Sequence, residues 1–429
     1  MLDQIATITK IFDVWEDQPW VNEGANLRVS MVCFGGMSQT PFFNGEEVTK
    51  IYSDLTAQKV GTGSVDLTTI MQLTENINST YFGFCLAGTF KVPASLAASW
   101  LRQPNPHLRS NGDVLKPIYN GTDITSPWCG KWVIDFGARM SESEAAMYEK
   151  PFEFVKRYVL PVREKNKRFS RAKYWWRHGE ARPGLREKIA NLPRYIATVE
   201  TAKHRFFVFF PTTVAPEHSL IVIPRADDVS FGLLESRFHF VWTMRVGSPY
   251  GNHPTARRYN AARTFDPFPF PEELTPADTC HQITETVEDG LVIPAGTSIN
   301  AVRASGDSTR VCATRIARAA KRLNDLREAW LNPPEWTQRV PEVIPLGMTT
   351  SPYPDRILPK SGHEKDLAER TLTKLYNARP AWLDAAHKEL DLAVAAAYGW
   401  ADYAADTPDE EILKRLLALN LARAAAEKT

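Results

Sequence analysis

The arrangement of apolar and polar positions predicts a strand-rich region at residues 110–275, and beyond it a helix, a polar linker with prolines at about 332–362 and a helical last segment. Short apolar or alternating runs bounded by glycine, proline or asparagine predict the strands. One run, residues 27–34, ends at Gly35-Gly36 and has the pattern of the last strand of a sheet whose other strands are missing. The other strand runs are residues 131–136, 206–210 and 220–223.

Helices are predicted where apolar residues recur every three or four positions. Such patterns cover residues 94–101, an insertion at 141–190, and residues 316–331. Thr407-Pro408-Asp409-Glu410 is a typical helix start, because Thr407 can cap the helix and proline is tolerated at its first position. The apolar stripe that follows predicts a packed helical tail, and it consists of Ile412, Leu413, Leu416, Leu417 and Leu419.

Three patterns follow one another in residues 236–271. The apolar run 236–242 predicts a strand, a basic loop follows it, and an aromatic and proline-rich run closes the block. A basic loop on a rigid apolar base suits a surface that contacts DNA, since arginine can pair bidentately with guanine edges. An ordinary rim of surface arginines is the alternative. The arginines of the block are Arg237, Arg245, Arg257, Arg258 and Arg263.

Composition indicates a globular protein of several domains, because 429 residues exceed one ordinary core. The formal net charge of +1 does not by itself point to a partner. Five widely spaced cysteines support neither a zinc site nor a disulfide framework, so a reducing cytoplasm is expected. No signal-peptide pattern and no run of about 18 apolar residues occurs, so we expect no membrane span.

A second basic stretch occupies residues 156–188, with twelve Lys/Arg against three acidic residues. Aromatic residues are interleaved with the cations, which is typical of surfaces that neutralise phosphates and stack on bases. A solvated helix face is the alternative interpretation. The candidate phosphate contacts are Lys165, Lys167, Arg168, Arg171 and Lys173.

Residues 332–335 resemble part of a known base-binding motif. An Asn-Pro-Pro-aromatic motif at the end of a strand holds the extruded adenine in amino-methyltransferases. Here Asn332-Pro333-Pro334-Glu335 follows a helical pattern, and Glu335 cannot stack on a base. We therefore interpret this run as a proline stop after a helix.

Taken together, these blocks resemble the large bacterial adenine-specific DNA methyltransferases of the type IIL (Mme-like) restriction–modification group, which are class I enzymes dependent on S-adenosylmethionine. The resemblance covers nearly the whole chain in order. The matching blocks are residues 11–21, 24–32, 111–117, 120–124, 132–137, 182–186, 194–198, 236–271, 395–400 and 409–413.

The resemblance implies that this chain is the C-terminal part of such an enzyme. In the family, the cofactor loop and the Asn-Pro-Pro-aromatic motif precede the block that matches residues 11–21, and neither is found here. The expected fold class is α+β: a mixed-sheet target-recognition domain with a helical insertion, then an α-helical C-terminal region. The expected domains are 1–38, terminal strands of the methyltransferase fold; 39–104, a connecting α/β segment; 105–275, target recognition; 276–362, a linker with a helix; and 363–429, a helical domain.

The same resemblance implies partners and a reading surface. Double-stranded DNA is the expected ligand, and a separate N-terminal methyltransferase polypeptide is the expected protein partner. S-adenosylmethionine is implied for the complete enzyme, and we expect none to bind this chain alone. The family's base-reading positions lie in the loop after the strand that corresponds to residues 238–244. The candidate base or backbone contacts are Arg245, Asn252, Arg257, Arg258 and Tyr259.

Three functions stay open at the level of sequence. The chain can be a DNA-recognition part that works with a separate catalytic polypeptide for adenine-N6 methylation, in restriction–modification or phage defence. It can be an enzyme in its own right with a divergent cofactor site. It can also be a non-catalytic remnant or an RNA-binding scaffold. Whether the chain alone is an enzyme is therefore undecided by its residues.

Overall fold

The computed structural model describes residues 2–22, 25–36, 39–53, 55, 57–59, 65–126, 128–250, 253–297 and 307–428. Short strands and helices alternate up to residue 294, and helices dominate from residue 309 onward. The sheets contain both parallel and antiparallel pairs. The α+β fold with a helical C-terminal region is therefore confirmed.

The N-terminal sheet is built on a long hairpin. Its strands run in the order β2-β1-β3-β4-β5, so β2 lies at one end of the sheet. A small core of Ile11, Val14, Val48 and Ile51 packs on it. The elements are α1 (Leu2–Ile8), β1 (Lys10–Asn22), β2 (Ala25–Gly35), β3 (Phe42–Phe43), β4 (Glu46–Ile51) and β5 (Ala57–Lys59).

The central region contains two four-stranded sheets and one three-stranded sheet, in the orders β12-β10-β14-β6, β13-β8-β9-β7 and β11-β16-β15. Two later hairpins are β17–β18 and β19–β20. The strands are β6 (Tyr81–Phe82), β7 (Lys91–Pro93), β8 (Leu115–Tyr119), β9 (Lys131–Ile134), β10 (Arg194–Val199), β11 (Thr201–Ala202), β12 (Val208–Pro211), β13 (Ala215–Pro216), β14 (Leu220–Ile223), β15 (Pro249–Tyr250), β16 (His253–Arg258), β17 (Thr284–Thr286), β18 (Val292–Pro294), β19 (Thr337–Val340) and β20 (Arg356–Pro359).

The helical insertion predicted between the strands is present as α4 to α8, and the long helices follow the last sheets. The helices are α2 (Ala94–Leu101), α3 (Gly121–Thr125), α4 (Glu142–Ala146), α5 (Glu149–Tyr158), α6 (Leu160–Arg163), α7 (Phe169–Lys173), α8 (Pro183–Ile189), α9 (Asp228–Glu235), α10 (Arg237–Val246), α11 (Thr309–Leu331), α12 (Glu364–Ala368), α13 (Leu372–Ala378), α14 (Ala381–Tyr398) and α15 (Asp409–Ala426).

One continuous apolar core joins the central sheets to the C-terminal helices and extends from Val65 to Leu416. The sheet of β1 to β5 has its own small core instead. The domain boundaries inferred from the sequence stay a prediction. None of the described helices is both long enough and apolar enough to cross a membrane.

The strand predicted for residues 236–242 and for 238–244 is wrong, because the segment forms helix α10. The Ser236 hydroxyl accepts a hydrogen bond from the His239 backbone amide and caps the helix. Phe238, Val241 and Trp242 are buried at helical spacing. Packing against the C-terminal tail decides the conformation, since the Phe238 ring meets the rings of three tail aromatics. These are Tyr398, Trp400 and Tyr403.

The first arginine of the predicted DNA-contacting cluster has a structural role. The Arg237 guanidinium donates to the Asp409 carboxylate and to the carbonyls of Ala405 and Thr407, so it ties α10 to the start of α15. Thr407 does not cap α15; its hydroxyl accepts from the Ala404 amide. The tail helix itself forms as predicted, from Asp409 to Ala426.

A buried ion pair connects the central sheets to the helical region. The Arg327 guanidinium donates to a Glu235 carboxylate oxygen at 2.6 Å, to the Phe207 carbonyl at 2.6 Å and to the Tyr376 hydroxyl at 3.2 Å. Both charged side chains are almost fully buried. Burial acts to lower the pKa of Arg327, but Glu235 and Tyr376 outweigh it and raise the pKa, so the buried guanidinium keeps its charge.

We predict that Arg327→Met destabilises the protein by about 3–5 kcal/mol, because it leaves the Glu235 carboxylate buried without a cation. Adding Glu235→Gln should recover part of this loss. Arg339→Met is the control, since the Arg339–Glu328 pair is about half exposed and should contribute about 0–1 kcal/mol. Urea denaturation monitored by fluorescence measures all three, and equal losses for Arg327→Met and Arg339→Met would contradict the assignment.

A second buried carboxylate lies at the start of α10. Asp391 on α14 accepts the backbone amide of Arg237 at 2.7 Å. Burial raises the pKa of Asp391 to about 7, although the hydrogen bond from Arg237 opposes this. The folded protein therefore binds the Asp391 proton more tightly than the unfolded chain does.

The sign of the pH effect follows from linkage. Because the pKa of Asp391 is higher in the folded state than its ordinary value of about 4, stability falls as the pH rises from about 4 to 7. Asp391→Asn keeps an acceptor for Arg237 but does not ionise. We expect its melting temperature to exceed that of the parent at pH 8, with the advantage shrinking at pH 5. A difference that does not vary with pH would contradict this prediction.

Candidate nucleic-acid interface

A cleft of about 870 Å³ separates the N-terminal sheet from the C-terminal end of α10. Three arginines line it, and the opposite wall is formed by the sheet, with Glu16 and Ser30 among its residues. We call Arg245, Arg257 and Arg263 the cleft arginines. They come from three elements: the last turn of α10, strand β16 and the π-helical turn Ala261–Phe265.

A glycine allows these elements to meet. A Cβ atom on Gly247 would lie 2.6 Å from the Thr243 carbonyl oxygen and 2.8 Å from that of Arg258. Only glycine therefore lets β16 approach the end of α10 this closely. The Arg258 amide also donates to the Ser248 carbonyl at 2.9 Å, which holds the strand in place. Arg245 and Arg257 consequently face one cleft although twelve positions separate them in the sequence.

A buried arginine supports β16 from behind. The Arg205 guanidinium donates to the Arg257 carbonyl at 2.9 Å and also to the Val199 carbonyl. Its carbon lies 4.9 Å from the centre of the Tyr259 ring. Burial lowers the pKa of Arg205 to about 10, which still leaves the guanidinium charged at neutral pH. The strand is thus fixed to β10 through its backbone, and its side chains need not supply the support.

The five predicted base contacts have different environments. Arg245 and Arg257 are partly buried and line the cleft. Arg258 is exposed, and its guanidinium lies 3.9 Å from the Glu200 carboxylate. Asn252 lies outside the described residues. Tyr259 does not reach the surface at all.

The Tyr259 side chain is a core group in this structure, which corrects its prediction as a DNA contact. Its hydroxyl lies 3.1 Å from Nε2 of His239, and Nδ1 of His239 lies 3.0 Å from the Leu234 carbonyl. Burial lowers the pKa of His239 to about 3, so the ring is neutral. Nδ1 therefore carries the proton donated to Leu234, and Nε2 accepts the Tyr259 hydroxyl proton. The Tyr259 hydroxyl and both ring nitrogens of His239 therefore have hydrogen-bond partners inside the core.

The five predicted phosphate contacts lie together on another part of the surface. They occupy the turn between α6 and α7 and helix α7 itself. Lys165, Lys167, Arg168 and Lys173 are exposed, and Arg171 is partly buried.

The aromatic residues of this basic stretch divide into two groups. Trp175 and Trp176 are buried, while Tyr158, Phe169 and Tyr174 are exposed among the cations, Phe169 by 76%. The structure therefore assigns core packing to the tryptophans and leaves the other rings at the surface.

An internal arginine makes this basic surface rigid. Arg163 is buried, and its guanidinium donates to the carbonyls of Leu86, Ala87, Arg171 and Arg177. These bonds hold the chain on both sides of α7 against the segment before β7. Sequence composition counted Arg163 among the basic residues, but its contribution is structural.

The Asn332-Pro333-Pro334-Glu335 run follows the end of α11, as interpreted from the sequence. The Asn332 side-chain amide donates to the Glu328 carboxylate at 3.1 Å. With this bond and with Glu335 in place of an aromatic residue, the run does not fit the adenine-holding motif. Within the described residues, no cluster of histidine, cysteine and acidic side chains could hold a metal ion.

Sequence reasoning missed the wall that faces the arginines. Glu16, Ser30 and Gln72 line the cleft from positions more than 170 residues before Arg245. Arg263 was part of the basic block but not of the selected contacts, and its place on the turn after β16 brings it into the cleft. Nothing in the local pattern around Glu16 or Gln72 signals a shared cleft.

The chain has the fold of part of a restriction–modification enzyme. The solved structure of the Type IIL restriction–modification enzyme MmeI in complex with DNA is similar over 99% of this chain, with a TM-score of 0.62 and 16% sequence identity. This chain spans 48% of the MmeI chain, about half of its length. No protein-family model and no curated protein matches the sequence.

We predict that Tyr259→Phe lowers stability by about 1–2 kcal/mol, because Nε2 of His239 loses its buried hydrogen-bond donor. The DNA affinity of the folded fraction should stay unchanged, since the ring is in the core. Chemical denaturation and a DNA-binding titration measure the two effects. A loss of DNA affinity without loss of stability would show instead that Tyr259 contacts DNA.

Proposed function

We propose that this chain is the DNA-recognition part of a site-specific adenine-N6 DNA methyltransferase, acting in restriction–modification or phage defence. Double-stranded DNA would be its ligand. The cleft arginines would contact base edges or the neighbouring backbone, and the basic surface around α7 would hold phosphates.

The cleft arginines carry this proposal. Three arginines from three different elements line one open cleft, and Glu16 lies on the facing wall. Arginine presents a planar fork of donors that matches phosphate oxygens and the major-groove edge of guanine. Gly247 and Arg205 place the backbone that brings Arg245 and Arg257 to the same cleft.

The similarity in fold supports the same function. The MmeI structure was determined with DNA, and its fold matches nearly all of this chain. At 16% identity the likeness extends to the fold alone, so the assignment of DNA as ligand rests on the basic surfaces together with that fold.

The methyl-transfer chemistry would belong to another part of the enzyme. The Asn-Pro-Pro run of this chain follows a helix and does not fit an adenine-holding motif. In the proposed arrangement, S-adenosylmethionine is bound by a catalytic half carried on a separate N-terminal polypeptide. This chain would select the site and present the target adenine to that half.

The first test is DNA binding by the isolated chain. We expect affinity for duplex DNA to fall steeply with salt, because binding releases counterions from the phosphates. Lys165→Ala with Lys167→Ala should weaken binding to all sequences alike. The slope of the logarithm of affinity against the logarithm of salt concentration should also become shallower by about 1 for each phosphate that the variant no longer neutralises. Fluorescence anisotropy at several salt concentrations measures both quantities.

Sequence preference provides the second readout of the same experiment. Arg257→Ala with Arg258→Ala, and separately Arg245→Ala, should reduce the preference that the parent shows when it selects from a pool of random duplexes. Arg322→Ala is the matched control, since Arg322 is exposed and pairs with Glu389 away from the cleft. If neither the lysine pair nor the arginine variants alter DNA affinity or preference, the proposed surfaces are wrong. Tighter binding to RNA than to duplex DNA would favour an RNA-binding scaffold instead.

A further inference from the structure

The β1–β2 hairpin has an apolar face that is largely uncovered by the described residues. Trp15 lies opposite Met31 in the antiparallel register, and Trp20 lies opposite Leu27. Alternate positions of β2 share one face of the sheet, so both tryptophans lie on the face of Val29 and Met31. The exposed fractions are 41% for Trp15, 53% for Trp20 and 46% for Met31. We call Trp15, Trp20, Val29 and Met31 the hairpin face.

The other side of the hairpin is already occupied. Val14 is fully buried in the small core of the sheet, and Val32 lies opposite it and packs on the same core. Glu16 and Ser30, which also lie on this side, line the cleft that contains the cleft arginines. The hairpin face therefore points away from the proposed DNA cleft.

The sequence of β2 is typical of a strand that is buried on both sides. Met31-Val32-Cys33-Phe34 is an unbroken apolar run, the pattern of strands covered on both faces of a sheet. Cys33 and Phe34 are nevertheless exposed, like Met31. Because β2 also ends the sheet, a further strand can pair with its outer edge. The exposed hairpin face and the outer edge of β2, to which no described strand pairs, are what a sheet shows when its neighbouring strands belong to another polypeptide.

We propose that the hairpin face and the outer edge of β2 form the docking surface for the catalytic methyltransferase half. A strand of that half would extend the sheet at β2, and its flanking helices would cover Trp15, Trp20 and Met31. This inference rests on the proposed function, which assigns methyl transfer to another polypeptide.

Two observations favour this occupant. The fold similarity covers 99% of this chain but only 48% of the longer MmeI chain, which leaves about half of an enzyme of that size to be supplied. The four side chains that define the hairpin face are all apolar, so they suit a folded protein surface better than nucleic acid. Large aromatic side chains are the usual anchors of such protein interfaces.

The experiment uses the full chain and, as probe, a separately purified methyltransferase polypeptide from the same gene neighbourhood that carries an Asn-Pro-Pro-aromatic motif. We expect a one-to-one complex by light scattering and calorimetry. Met31→Glu and Trp20→Glu should each weaken the complex by about 10-fold or more, since they bury a charge at an apolar contact. Hydrogen exchange of the β2 amides should slow in the complex.

Two controls separate docking from folding and from DNA binding. Leu108→Glu places the same charge at a side chain that is 98% exposed and should leave the complex unchanged. Met31→Glu alone should retain the parent's circular dichroism and DNA affinity, because the hairpin face lies opposite the arginine cleft.

Each outcome decides between the two proposals. Absence of a complex, or a complex insensitive to both glutamate variants, overturns the docking surface while normal DNA binding leaves the proposed function intact. A dimer of this chain that Met31→Glu dissociates would assign the face to a second copy and also overturn it. A complex that forms as expected with a chain that does not bind DNA would support docking and reject the DNA-recognition function.

Discussion

The buried contact between Arg327 and Glu235 joins more of this molecule than any apolar contact can by itself. Arg327 comes from α11 and Glu235 from the end of α9, and the same guanidinium reaches the backbone of Phe207 and the hydroxyl of Tyr376. Tyr376 in turn contacts His387 on α14. A charge in the core is tolerated only when it is paired and hydrogen-bonded, so these contacts hold five segments in one relative arrangement.

This arrangement determines where α10 lies, and α10 determines the cleft. The helix follows α9 directly, is capped by Ser236, and is clamped to the tail by Arg237. With both ends fixed, its last turn presents Arg245 at a defined place. The neutral His239–Tyr259 pair and the charged Arg205 then fix β16 beside it. Buried polar groups thus position the cleft arginines.

The sequence pattern correctly predicted those helices and strands whose burial depends on residues nearby in the sequence. Helix α2 was expected at residues 94–101 and is found at Ala94–Leu101, and the strand at residues 220–223 is found as β14.

Residues 236–242 were ambiguous, because Phe238, Phe240 and Trp242 alternate while Phe238, Val241 and Trp242 have helical spacing. The tail aromatics settle the choice from about 160 residues away, and no local pattern contains them.

Tyr259 was predicted as a surface contact for the same reason, since its burial depends on the distant residues Phe207 and His239. Arg245, Arg257 and Arg263 were recognised as one basic block, but the cleft that they share with the N-terminal sheet was not predicted, because it requires the close approach at Gly247.

The two anchors of the basic loop have a consequence for how such a protein can change over time. Gly247 fixes the chain where it leaves α10, and the buried Tyr259 fixes it where it returns to the core. Substitutions in the segment between them would leave both anchors in place. Under the proposed function, a new DNA sequence preference would therefore need only a few changes in one short stretch, while the anchored scaffold stays the same.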